Sequence, residues 1–125
     1  MNLVAILSGK GGSGKTTTCM GIALWMRERG FKSAILDLDL ENPSLGIACG
    51  ITRDQLQFQG NLIIPPVWCG VPIMSLSLLP LGVFQDTPTL IDEDKKHDLI
   101  QHLFQEVDWG DTKTLLIDMP PGSSE

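Results

Sequence analysis

Apolar positions recur along this chain in two periods. Leu3-Val4-Ala5-Ile6-Leu7 runs without a polar break, which predicts a strand buried on both faces. From about Thr16 to Arg29 the period changes. Cys19, Ile22, Ala23 and Met26 fall at i, i+3, i+4 and i+7, the stripe of an amphipathic helix. Arg27 and Arg29 occupy its last turn and Gly30 is its stop signal. Ser33-Ala34-Ile35-Leu36-Asp37 reads as a second strand. Strand, helix and strand within about 35 residues predict a βαβ unit with parallel strands and a right-handed crossover.

The middle of the chain is punctuated by Pro43, Pro65, Pro66 and Pro72. Ser44 to Ala48 predicts a helical turn capped by Ser44, and Asn61 to Val67 a short extended piece. Ile73 to Leu78 predicts a third strand, with Met74, Leu76 and Leu78 on one face and Ser75 and Ser77 on the other. After a loop with Pro80, Gly82 and Pro88, a helix is expected over Asp92 to Val107. Leu99, Ile100, Leu103, Phe104 and Val107 form its apolar face, and Asp92, Glu93 and Asp94 suit its positive end. Trp109-Gly110 ends it, and Thr114-Leu115-Leu116-Ile117-Asp118 is the fourth strand. Four strands are few for a parallel sheet. The first strand needs a neighbour on each side, and the chain reads as truncated.

Candidate chemistry starts where the first strand stops. Gly9 to Thr16 fit G-x-x-x-x-G-K-[ST], a phosphate-binding loop between a strand and a helix. Gly9, Lys10, Gly11, Gly12, Ser13, Gly14, Lys15, Thr16 and Thr17 are therefore the expected nucleotide-binding residues. Glycines let successive backbone N–H groups curl around phosphate oxygens, and the helix N-terminus adds its dipole. Lys15 neutralises the β and γ phosphates in this reading, and the Thr16 hydroxyl ligates Mg²⁺. Asp37 and Asp39 stand at the end of the second strand and Asp118 at the end of the fourth. Ligands of open parallel sheets bind outside the carboxyl ends of the strands, so all three carboxylates can converge on the phosphates. Asp118 after Leu115-Leu116-Ile117 has the pattern of a carboxylate that fixes Mg²⁺ through water.

Composition narrows the setting. A chain of 125 residues is one domain at most, here a nucleotide-binding unit over residues 1–125, and its 42% hydrophobic content supplies a core. No run approaches the ~20 apolar residues of a membrane span, and the start lacks the basic region of a signal peptide, so a cytoplasmic site and no membrane are expected. The net charge of −6 argues against nucleic acid as the main partner. Cys19, Cys49 and Cys69 are odd in number and widely spaced, which predicts buried or inert thiols rather than a metal centre. His97 and His102 read as surface residues, and Trp25, Trp68 and Trp109 as packing residues.

The loop K-G-G-x-G-K-T-T resembles the deviant phosphate loop of the MinD/ParA/Mrp/nitrogenase-iron-protein ATPases. Asp37-Leu38-Asp39-Leu40-Glu41-Asn42-Pro43-Ser44 and Asp118-Met119-Pro120-Pro121-Gly122 resemble the two switch segments of the Mrp/Nbp-type iron–sulfur carriers, and Trp109-Gly110 fits the same pattern. The resemblance spans the whole chain but only about the N-terminal half of such a protein. It implies a three-layer α/β/α P-loop fold, ATP and Mg²⁺ as ligands, and a homodimer or related heterodimer closed over the nucleotide. It implies that Lys10 reaches the partner's nucleotide and that Asp39 orients the attacking water. Asp37 and Asp118 would hold the Mg²⁺ hydration shell, and the Gly122 N–H would sense the γ-phosphate. Iron–sulfur client proteins are the implied partners. The cluster-binding cysteine pair lies further downstream in the family, as does the strand expected beside Leu3–Leu7. The chain departs from the pattern at Ser13, usually Val, and at Ser123-Ser124-Glu125, usually T-G-D. It also lacks a W-R-G-P-like segment near residues 85–95. A MinD/ParA-like partitioning ATPase and a non-catalytic module that binds phosphate weakly are the alternatives.

Overall fold

The computed structural model describes residues 1–6, 13–38, 44–75, 78, 101, 103 and 105–119. Asn2–Ile6 forms β1, Ser13–Glu28 forms α1 and Ser33–Asp37 forms β2. Helix α1 carries no acid in its first turn and Arg27 in its last, so its dipole is left open at the amino end and complemented at the other. It stops at Gly30, whose φ of 81° a residue with a Cβ adopts only with strain. There the Gly30 N–H donates to the Arg27 carbonyl at 3.0 Å and the Phe31 N–H to the Met26 carbonyl at 2.9 Å, a Schellman closure. The helix begins three residues before the expected Thr16, because its first turn lies inside the glycine-rich motif, where N–H groups need no intrahelical partner.

The chain continues through α2 (Ser44–Cys49), a single 3₁₀ turn at Arg53–Gln55, β3 (Gln57–Gln59), β4 (Leu62–Ile64), β5 (Val67–Trp68), β6 (Val71–Ser75) and β7 (Thr114–Asp118). Five strands form one sheet in the order β1-β7-β2-β6-β5, and β3 and β4 form a separate hairpin around Gly60. The pairs β1–β7, β7–β2 and β2–β6 are parallel, while β5 returns antiparallel to β6. The two strands of the expected βαβ unit are thus parallel but not adjacent. Helix α1 packs over β7, β2 and β6, and β7 fills the slot between β1 and β2.

Several expected bounds shift. The extended piece at Asn61–Val67 is broken by Pro65-Pro66 into the ends of β4 and β5. The third strand starts at Val71 and ends at Ser75. Pro72 is tolerated there because pairing with β2 begins only at Ile73, so no donor of that ladder is lost. Of the helix expected over Asp92–Val107, residues 101, 103, 105 and 106 are helical, Leu103 and Val107 are buried, and Val107 pairs with Ile63. Leu76, Ser77, Asp92, Glu93, Asp94, His97, Leu99, Ile100, His102 and Phe104 lie outside the described residues. Trp109 is buried and Trp68 half-buried, but Trp25 is not a packing residue. It is exposed, with the Arg29 guanidinium 4.1 Å above its ring.

The core lies along β2, whose five residues are all buried, together with Cys19 and Ala23 of α1, Ile73 and Met74 of β6 and Leu115 to Ile117 of β7. Ile35 is fully enclosed between strands on both sides. Ile35→Ala is expected to cost about 2–5 kcal/mol, a large part of the ~5–15 kcal/mol that holds a domain folded. Urea titration followed by circular dichroism checks it; a loss below about 1 kcal/mol would place Ile35 outside the core.

Candidate functional site

The register of the sheet sets the site. Ile6 pairs with Asp118, Asp118 with Asp37, and Asp37 with Ser75, so these residues share one level at the carboxyl edge. Asp118 and Asp37 are both buried, a costly placement for carboxylates that calls for donors close by. The Thr16 hydroxyl, on the first turns of α1, donates to Asp118 Oδ2 at 3.1 Å. The Ser75 hydroxyl donates to Asp37 Oδ2 at 3.4 Å. Leu38 N–H donates to the Asp118 carbonyl at 3.0 Å, and Met119 N–H to the Ile6 carbonyl at 3.2 Å. These bonds lock the ends of β1, β7 and β2 to one another where the phosphate-loop motif departs.

The structure therefore brings together Thr16, Asp37 and Asp118, from three segments separated by up to 102 residues. Ser13, Gly14, Lys15 and Thr17 lie in the first turns of α1. Gly9, Lys10, Gly11, Gly12, Asp39 and Gly122 lie outside the described residues. Ser75 was not a candidate from the sequence. Its signal was available: it is the last, polar position of an otherwise apolar strand, level with Asp37.

The donor set is hydroxyl and carboxylate oxygen, the hard chemistry that suits Mg²⁺, and two of its members already lie within hydrogen-bonding distance. A cavity of about 380 Å³, lined in part by Arg27, Lys32, Val71 and Asp111, opens at the opposite, amino ends of β2, β6 and β7 and has no part in this constellation.

The thiols are placed unevenly. Cys19 is buried, Cys49 half-buried at the end of α2, and Cys69 is exposed in the turn before β6. Burial, and then the charge of Cys69, push the Cys49 thiol up to about 11. Cys49 stays protonated at neutral pH, and reaction needs the thiolate. At pH 8 iodoacetamide is expected to modify Cys69 first, with Cys49 reacting measurably only as the pH rises towards its raised value. Peptide mass spectrometry reads the order, and equal rates at pH 8 would refute it.

A parallel sheet that gathers carboxylates at its carboxyl edge beside a hydroxyl of the helix following G-x-x-x-x-G-K-T defines an α/β P-loop nucleotide-binding fold. The solved nucleotide-binding protein of Archaeoglobus fulgidus, in complex with ADP, superposes with a TM-score of 0.76 at 29% identity, over 97% of this chain and 45% of that one. The chain belongs to the NUBPL iron-transfer P-loop NTPase family, whose model matches residues 1–125. It is 35% identical to the cytosolic Fe-S cluster assembly factor CFD1 of Kluyveromyces lactis, over 99% of this chain and 45% of the yeast protein. It is also 35% identical to the iron-sulfur cluster carrier protein of Pseudomonas fragi, over 99% of this chain and 43% of that protein. The chain thus spans less than half the length of these relatives.

Proposed function

We propose that this chain is the catalytic nucleotide-binding part of an ATP-hydrolysing iron–sulfur cluster carrier. The observation that carries the reading is the buried hydrogen bond between Thr16 and Asp118 at the carboxyl edge of the sheet. It sets a hydroxyl and a carboxylate at the mouth of a helix whose first turn lies in a phosphate-loop motif. The family and the ADP-bound neighbour support the same reading.

In this mechanism the free N–H groups at the start of α1 hold phosphate oxygens, and Lys15 places a cation on the β and γ phosphates. Thr16 would hold Mg²⁺, and Asp37 and Asp118 would hold its water shell. Bound there, the ion would supply positive charge that offsets the charge of the phosphates. Asp39 orients the attacking water, and the Gly122 N–H meets the γ-phosphate. Lys10 reaches across a dimer to stabilise charge on the transferring phosphoryl group of the partner's nucleotide. The iron–sulfur cluster is cargo, passed to client proteins, and the setting is cytoplasmic. Among the described residues no helix is long and apolar enough to cross a membrane.

Because the chain covers under half of its relatives, Mg²⁺-dependent ATP turnover is to be measured on it and on a fusion. The fusion appends the part of the Pseudomonas fragi carrier beyond the matched region. Absence of turnover from both removes the hydrolase reading. Lys10→Ala and Asp39→Ala are each expected to be inactive alone. If Lys10 acts in trans and Asp39 within its own subunit, a mixed dimer has one complete site. Mixing the variants then restores about one quarter of wild-type turnover by random pairing in a two-fold dimer. A mixture as inactive as its components would place both residues in one subunit's site.

A further inference from the structure

The cavity at the amino ends of β2, β6 and β7 has a chemistry of its own. Its volume of about 380 Å³ is that of a small-molecule site. Three charged side chains border it: Arg27, Lys32 and Asp111. Lys32 Nζ lies 3.4 Å from Asp111 Oδ2, so these two charges offset each other. Arg27 stands in the last turn of α1, and its guanidinium takes the space that a Cβ at Gly70 would fill. Gly70, with a φ of 81°, leaves that space open where the turn between β5 and β6 meets the cation. Among the described residues no hydrogen bond or ion pair engages the Arg27 guanidinium. The lining therefore carries one unmatched positive charge.

The rest of the lining limits what can meet that charge. The Ser33 hydroxyl donates to the Ala23 carbonyl at 3.1 Å, and the Thr112 hydroxyl to the Trp109 carbonyl at 2.6 Å. A hydroxyl has one proton to give, so neither can donate to an anion. The side-chain donors left for an anion are those of Arg27 and Lys32. A dianion would bring a surplus negative charge beside Asp111. A planar monoanion matches the fork of one guanidinium and leaves no surplus. The remaining walls are apolar. Val71 and Pro72 line the strand side, and Phe31 is 56% exposed, so a flat apolar body laid on its ring removes bare surface from water. We propose that this cavity binds a carboxylate monoanion with a flat apolar body, anchored by Arg27. The site lies at the edge of the sheet opposite Thr16 and Asp118, and it does not rest on the nucleotide reading.

NMR titration of the isotope-labelled chain with benzoate, at constant ionic strength and without nucleotide, tests the assignment. Benzoate is expected to shift the amides of Phe31, Lys32, Gly70 and Val71 saturably. Benzamide, the same ring without the charge, should bind at least about fivefold more weakly, and Arg27→Gln should weaken benzoate by a similar factor. That variant should melt within a few degrees of wild type, since the Arg27 side chain is exposed. Asp111→Asn leaves Lys32 unmatched as well, so the lining gains a second free positive charge. Phenyl phosphate, a dianion, should then gain at least about threefold more affinity than benzoate gains. Absence of saturable shifts, equal binding of benzamide, or an Arg27→Gln variant that binds benzoate as wild type does overturns the proposal. Equal gains for the two ligands in Asp111→Asn overturn the selection of a monoanion. The same titration on the fusion described above should give the same shifts. Their loss there would show that the appended polypeptide covers the cavity, and would overturn the proposal too.

Discussion

Lys15→Ala is expected to weaken ATP binding by at least about 100-fold, because in the proposed site one ammonium would serve two phosphate groups, and each charge-assisted contact contributes about 1.5–3 kcal/mol. Lys15 lies in the first turn of α1, immediately before Thr16, whose hydroxyl donates to Asp118. A cation there acts with the helix dipole, and no acidic side chain in that turn competes for it. Alanine is a good helix former, so α1 itself should persist. Calorimetry on the fusion, with circular dichroism to confirm the helix, separates lost binding from lost structure. Unchanged affinity would remove the phosphate-loop assignment.

Asp118→Asn should have the largest effect on chemistry with little effect on the fold. The carboxylate is buried on the last residue of β7 and accepts from Thr16. Asparagine keeps one oxygen for that hydroxyl, removes the charge and puts an NH₂ donor in place of the other oxygen. Neutralising a buried carboxylate also relieves its desolvation, so the melting temperature should stay within a few degrees of wild type or rise. Turnover at saturating ATP and Mg²⁺ should fall by about 100-fold or more, since cation-assisted charge stabilisation contributes several kcal/mol. The Mg²⁺ dependence of nucleotide affinity should flatten. A variant that keeps wild-type Mg²⁺ dependence would show that Asp118 only fastens α1 to β7. One that unfolds would show that its charge is structural.

Local pattern made much of this legible. The bounds of β2 and β7 follow from short apolar runs set between polar residues, and α1 from a stripe at helical spacing that ends at Gly30. The glycine-lysine-threonine spacing marked the phosphate-loop motif, and placing Asp37 and Asp118 at strand ends put them at the carboxyl edge of the sheet. These are statements about neighbours within a few residues, which a linear pattern carries directly. Strand order is different. That β7 enters between β1 and β2, that β5 turns back on β6, and that Ser75 meets Asp37 depend on which apolar faces close on one another across tens of residues. Such closure carries a chain-entropy cost that periodicity does not encode. The exposure of Trp25 and the bare faces of β1 have the same origin. An apolar residue is prepared for burial by its sequence, but only the assembled layers decide whether anything lies above it.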